Sequence, residues 1–200
     1  MSDICFVKQH DTMQCGSACL KMISDYFGKE YHSLFFSEIC HVTTEGVSLF
    51  SIVQAAKKIG LKTISGSATI NSITKIESPC ILHWNQNHFV VLYKVKKGKT
   101  FYIADPAKGL VKYNLEEFKK HWVSTQSGGE EKGIAMFLEP TPAFYEKKID
   151  EEPKEERSFK FLFGYIKQYR KYFGQIVLGC SWEVFCNSFF EIGRPTERWT

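Results

Sequence analysis

Cys15 and Cys19 stand one helical turn apart in the stretch VKQHDTMQCGSACLKMI, behind a polar loop that carries Gln9 and Gln14. A free cysteine thiol titrates at about 8.5, so it attacks a carbonyl well only where its surroundings favour the thiolate. A helix N-terminus and a neighbouring imidazole do this best. Cys15 falls at the expected start of a helix, where unpaired N–H groups point, whereas Cys19 lies one turn inside and lacks that benefit. If either reacts, it is Cys15. The helical pattern alone leaves the other reading open, in which both are small apolar residues of a buried helix. Zinc is not indicated, because no second Cys or His pair at finger spacing follows.

A nucleophilic thiol needs a base. Of the six histidines (His10, His32, His41, His83, His88 and His121), His88 opens the run HFVVLYKV. The turn KKGK should reverse that run into TFYIAD. A hairpin centred near Lys97 and Gly98 sets His88 opposite about residue 107, with Asp105 close by on the neighbouring strand. A histidine and a carboxylate thus meet at one end of a sheet, where the carboxylate would hold the imidazole tautomer and aim it at a thiol. A surface histidine and a turn aspartate before Pro106 also fit these residues, since Asp-Pro is common turn chemistry.

These side chains need elements to hold them. Cys15, Ala18, Cys19, Met22, Ile23 and Tyr26 recur at steps of three and four, which predicts a helix with one buried face. Asp11 or Thr12 is the expected cap and Gly28 the stop. A second helix is predicted over Leu34 to Cys40. A third spans Ser48 to Ile59, with Leu49, Ile52, Val53, Ala56 and Ile59 on one face and Gly60 after it. Then the pattern changes. LKTIS, CILHW, HFVVLYKV, TFYIAD and GLVKYN are short runs rich in β-branched and aromatic residues, separated by Gly, Pro, Asn and Lys. They read as an antiparallel sheet, with LEEFKKHW a short helix and GIAMFLE a last strand. Helices first and strands after is the α+β pattern.

With 200 residues, 44% hydrophobic and 24% charged, the chain suits one ordinary globular domain plus an appendage, or two small domains. The formal charge of +4 fits an acidic or membrane-surface partner. It falls short of the basic stripe of a nucleic-acid binder. Seven cysteines without paired spacing, behind an opening that shows no basic-then-apolar export signal, predict free thiols in a reducing compartment.

Pro140, Pro142 and the run EKKIDEEPKEER predict a solvated linker over 141–157, closing a first domain over 1–140. Over 158–200, Phe159, Leu162, Phe163, Ile166, Tyr169 and Phe173 keep helical spacing, with Lys160, Lys167, Arg170 and Lys171 on the other side. This is either a helix packed on the domain or a basic amphipathic helix on a membrane surface. The tail CSWEVFCNSFFEIGRPTERWT has neither helical period nor span length, so no transmembrane helix is expected as written. It is crowded with Cys, Ser, Trp and Phe, whose codons can begin with T. A one-base shift would move that T to the middle position, which specifies apolar residues. Residues 180–200 are therefore expected to be a frameshifted or misjoined start of a membrane domain. Coding DNA whose shifted frame stops early, or gives no apolar span, would end that reading.

QHDTMQCGSACL (9–20), NHFVVL (87–92) and ADPAKG (104–109), in that order, resemble the three motifs of the double-glycine leader peptidases. These are the papain-like cysteine peptidase domains at the N-terminus of bacteriocin- and peptide-exporting ABC transporters. The resemblance covers roughly residues 3 to 140. It implies a papain-like fold, with Cys15 as nucleophile, His88 as general base and acid, and Asp105 as orienting residue. It also implies Gln9 as oxyanion-hole donor, and Gly16 as the partner of the nucleophile that lets substrate approach the backbone. Where the family often has acidic residues between the glutamine and the cysteine, this chain has His10, Asp11, Thr12, Met13 and Gln14.

The implied reaction is hydrolysis after a Gly-Gly or similar small pair at the end of the leader of a secreted peptide. The implied setting is the cytoplasmic face of a bacterial inner membrane, in a homodimeric transporter with membrane and nucleotide-binding domains. ATP would bind further along such a chain; the resemblance implies no cofactor, metal or nucleic acid for the residues present. Gly128 and Gly129, in SGGEEKG, are read as a loop turn rather than a self-cleavage site. Two other functions fit less of the sequence. A silent docking domain would have lost the cysteine or the histidine, and an amidase of papain-like fold would have no use for the basic helix that follows.

Overall fold

The computed structural model describes residues 4–146 apart from 42, 44 and 45. The readings of 147–157 as linker and of 158–200 as basic helix and altered tail lie outside the described residues. The first helix, α1 (Cys15–Tyr26), buries Cys15, Ala18, Cys19, Leu20, Met22 and Ile23 and gives way to a turn at Phe27 and Gly28, as its apolar spacing requires. Its cap differs from expectation. The chain reaches α1 through a 3-10 turn (Thr12–Gln14), and Thr12 Oγ1 bonds Asp11 Oδ1 at 3.1 Å instead of a helix N–H. No side chain caps α1.

Helices α2 (Ser33–Ile39) and α3 (Leu49–Lys58) follow. Ser48 Oγ caps α3 by accepting from the Ser51 N–H at 3.0 Å. Gly60, at φ +90°, ends that helix where an L side chain would be strained and where a Cβ would lie 2.7 Å from the Phe144 backbone nitrogen.

A seven-stranded antiparallel sheet forms the rest: β1 (Leu61–Thr69), β2 (Cys80–Trp84), β3 (His88–Lys96), β4 (Thr100–Asp105), β5 (Gly109–Asn114), β6 (Thr125–Ser127) and β7 (Glu130–Pro140). The order is β1-β7-β2-β3-β4-β5, with β6 on β7. Two short helices, α4 (Ile70–Ile73) and α5 (Leu115–Trp122), lie between strands, and α6 (Pro142–Glu146) follows β7. Asn114 and Glu117 form a capping box at α5.

Both sheet faces are covered. α1 to α3 bury Leu20, Ile23, Phe36, Ile52 and Ala56 in one cluster with Val91, Ala104 and Met136. α5 lays Phe118 and Trp122 in a second cluster with Leu82, Trp84, Phe101 and Ile103. The Phe118 ring stacks on Phe101 at 4.0 Å between centroids.

Three short elements, α4, β6 and α6, have no counterpart in the periodicity. β1 runs on past Ser65, and β7 begins three residues before Gly133. Gly128 and Gly129, both at positive φ, turn β6 into β7 as a two-residue hairpin. Packed structure also continues beyond residue 140, where the sequence suggested a linker. Phe144 is fully buried in the first cluster, edge-on to Phe27, and Lys29 Nζ donates to its carbonyl. The two prolines and the charge run outweigh one aromatic in a reading by composition, although that aromatic anchors the segment.

Candidate active site

Cys15 is the first residue of α1 and 5% exposed. With no side chain capping the helix, its leading N–H groups stay unclaimed by side chains around the thiol, and their partial positive charge favours an anion there. Ser17 turns its hydroxyl back to the Gln14 carbonyl at 2.9 Å and so braces the turn that delivers Cys15.

His88 opens β3, so its ring lies at the end of the sheet. The turn before it holds Asn85 and Gln86 at positive φ. That turn is pinned to α5 twice, by the Asn85 N–H to the His121 carbonyl at 2.9 Å and by Asn85 Oδ1 to His121 Nδ1 at 2.8 Å. His88 Nε2 and Asp105 Oδ1 are 2.8 Å apart. Asp105 is 1% exposed and accepts a second bond on the same oxygen from the Ala107 N–H at 2.9 Å. Of the predicted histidine and carboxylate, the structure thus makes a hydrogen-bonded pair, and it places Cys15 within interaction distance of the same ring.

Charge follows from this packing. Burial pulls the His88 imidazole down, but hydrogen bonds to Asp105 and Cys15, together with their charges, outweigh it and lift His88 to about 9. Burial works against the Asp105 carboxylate. The bonds from His88 and the Ala107 N–H, with the charges of His88 and Lys108, hold it below the usual carboxylate range nonetheless. At neutral pH the pair is an imidazolium against a carboxylate.

Cys19 is fully buried, and burial pushes its thiol well above the ordinary range, helped by Cys15, Asp105 and Cys40. One turn of helix thus separates a cysteine beside an imidazole from an inert one. Cys40 and Cys80 are likewise pushed up to about 12 by burial.

Gln9 is half-buried beside the Asp105 turn, and its backbone N–H donates to the Pro106 carbonyl at 3.1 Å. Its Oε1 is buried without a hydrogen-bond partner, so no structural bond claims the amide through that oxygen. A Cβ on Gly16 would lie 2.7 Å from Ile52 Cδ1 and 3.3 Å from Val47 Cβ, so glycine at this position permits the close packing of α1 on α3.

The braces around the site, namely Asn85 with His121, the Ala107 N–H and the Pro106 carbonyl, were not found from the sequence. The polar NQN between β2 and β3 carries nothing that points to α5. The described residues hold no group of three or more His, Cys, Asp or Glu placed to bind a metal ion. No described helix is long and apolar enough to cross a membrane.

A thiol borne by the helical layer faces an imidazole borne by the sheet, and that division between layers marks the papain-like class of cysteine peptidase domains. The chain belongs to the Peptidase C39 family, whose model matches residues 3–126. It is 30% identical over 138 residues to the colicin V secretion/processing ATP-binding protein CvaB of Escherichia coli, covering 69% of this chain and 18% of that protein. The chain thus spans less than a fifth of the length of that curated relative.

Among solved structures it is similar to a double glycine motif protease from an AMS/PCAT transporter in complex with the leader peptide. The identity is 34% and the TM-score 0.60, with 70% of this chain and 93% of that one covered. The peptidase domain of Streptococcus ComA, a bi-functional ABC transporter involved in a quorum-sensing pathway, matches at 26% identity and a TM-score of 0.59, over 70% of this chain and all of that one.

Proposed function

We propose that this chain is a cysteine endopeptidase that removes the leader of a secreted, bacteriocin-like precursor by cutting after a double-glycine-type motif. The observation that carries the reading is the 2.8 Å pair of His88 and the buried Asp105, set against a cysteine at an uncapped helix N-terminus. The similarity to a double glycine motif protease holding a leader peptide supports the substrate class.

In this reading Cys15 Sγ attacks the carbonyl carbon of the last leader residue. The Gln9 amide and the Cys15 backbone N–H donate to the oxyanion. His88 gives a proton to the leaving amine of the secreted peptide, and a thioester to the leader remains. Water then attacks the thioester while His88 takes its proton, which releases the leader and restores the thiol. Asp105 holds the ring with its other nitrogen toward the thiol.

The full-length protein would be a homodimeric ABC transporter at the cytoplasmic face of a bacterial membrane, with ATP bound in a separate domain. The names of the curated relatives, which join processing to ATP-binding transport, support that setting. The test is incubation with a synthetic double-glycine leader peptide and mass analysis of the products. Cleavage after the second glycine in wild type, absent in Cys15→Ala, is expected, and cleavage that survives Cys15→Ala would overturn the mechanism.

A further inference from the structure

We propose that the end of the sheet remote from Cys15 is a docking surface for an anionic lipid bilayer. Paired residues place Lys94, Tyr102 and Lys112 in one row across β3, β4 and β5. Both lysines lie over the same Tyr102 ring, at 5.8 and 5.4 Å from its centroid. Lys96, next on that face, and Lys97 and Lys99 in the adjoining turn bring the set to five cations. None of the five forms an ion pair among the described residues. The row continues the face on which α1 covers Val91 and Ala104, and Lys94, Lys96 and Lys112 are exposed there. Lys94 lies six residue steps along β3 from His88, about 20 Å of strand, so the patch is separate from the peptidase chemistry.

Its chemistry selects the partner. Every cation in the patch is a lysine, and residues 4–146 contain no arginine. Lysine is a compact point charge on a flexible stem, suited to a diffuse layer of anionic headgroups. Bidentate recognition of a carboxylate or phosphate at a defined position calls for arginine. The half-exposed Tyr102 adds what an interface between water and hydrocarbon accommodates. No cleft is needed for such contact, and an exposed sheet face ending in a hairpin turn suits it. The inference rests on the proposed function for bringing a membrane near, since a transporter domain works beside a bilayer. A lysine close to an anionic surface strengthens binding about fivefold.

The test is co-sedimentation of the full 200-residue chain with equimolar phosphatidylglycerol–phosphatidylcholine vesicles and with pure phosphatidylcholine vesicles. Wild type is compared with Lys94→Gln/Lys96→Gln/Lys112→Gln and with the charge-matched control Lys57→Gln/Lys120→Gln/Lys132→Gln. All three share residues 147–200, so differences between them report the patch alone. Binding to the anionic vesicles should fall about a hundredfold in the patch variant and within about twofold of wild type in the control. Equal binding by patch variant and wild type, or equal loss in the control, would overturn the proposal. So would tighter, patch-dependent capture of polyglutamate or duplex DNA than of vesicles. Cleavage of a double-glycine peptide in solution should be unchanged in the patch variant. If wild type cleaves no such peptide, the proposed function fails, and the vesicle comparison still decides the patch.

Discussion

His88 and Asp105 face each other, Nε2 to Oδ1 at 2.8 Å, because β3 carries one extra residue at Tyr93. Near the turn, Lys96 pairs with Thr100 and Lys94 with Tyr102, whereas beyond Tyr93, Leu92 pairs with Ile103 and Val91 with Ala104. A regular ladder from the turn would set Asp105 opposite Val91, on the other face from His88, since successive strand residues alternate sides. The bulge moves the register by one, so that Asp105 and His88 share a face.

Asp105→Ala should therefore do more than lower activity. His88 should fall from about 9, and the alkaline limb of the kcat/KM profile should move down with it, with kcat/KM reduced by about 10²-fold. His88 raised above its ordinary 6.5 contributes stability in full below that pH, and the contribution is lost as pH rises through about 9. Asp105, held below its ordinary 3.8, contributes above that value, and its share is lost as pH falls through its folded value. The gap in Tm between wild type and Asp105→Ala should be widest between about pH 4 and 6.5 and narrow on both sides. A gap that does not change with pH would contradict this.

The two cysteines of α1 should respond in opposite ways. Cys15→Ala should remove at least about 10³-fold of leader-peptide cleavage with little change in Tm. Cys19→Ala, which empties a fully buried site, should lower Tm yet keep cleavage. An alkylating reagent at neutral pH should modify Cys15 and leave Cys19 untouched, as peptide mass mapping would show.

Gln9→Ala tests the oxyanion role. An interaction made only in the transition state should cost kcat about 10²-fold while KM stays close to wild type. The reverse pattern would reassign Gln9 to binding. A fall in Tm would point to its place beside Pro106 instead.

Gly16→Ala should destabilise the fold by about 1–3 kcal/mol, because the added methyl meets a buried isoleucine in a close-packed interior. Ile52→Val removes the Cδ1 atom that stands 2.7 Å from the new Cβ. The double variant should therefore regain Tm over Gly16→Ala alone, and strictly additive losses would mean that the clash lies elsewhere.

What the linear chain determined is what local spacing controls. Apolar steps of three and four delivered α1 with Cys15 at its head, and short β-branched runs delivered the strands that carry His88 and Asp105, because side-chain direction repeats with the backbone period. The motif order QHDTMQCGSACL, NHFVVL and ADPAKG by itself points to the family.

Non-local packing decided the rest. The one-residue bulge at Tyr93 depends on what packs on both faces of the sheet. The anchoring of Asn85 to His121 spans 36 residues of chain. The absent cap on α1 and the burial of Phe144 both run against local composition. Each is a choice between arrangements that are nearly equal for an isolated segment. Burial and hydrogen bonding between distant segments separate them, and so only the tertiary structure turned a cysteine, a histidine and an aspartate into neighbours.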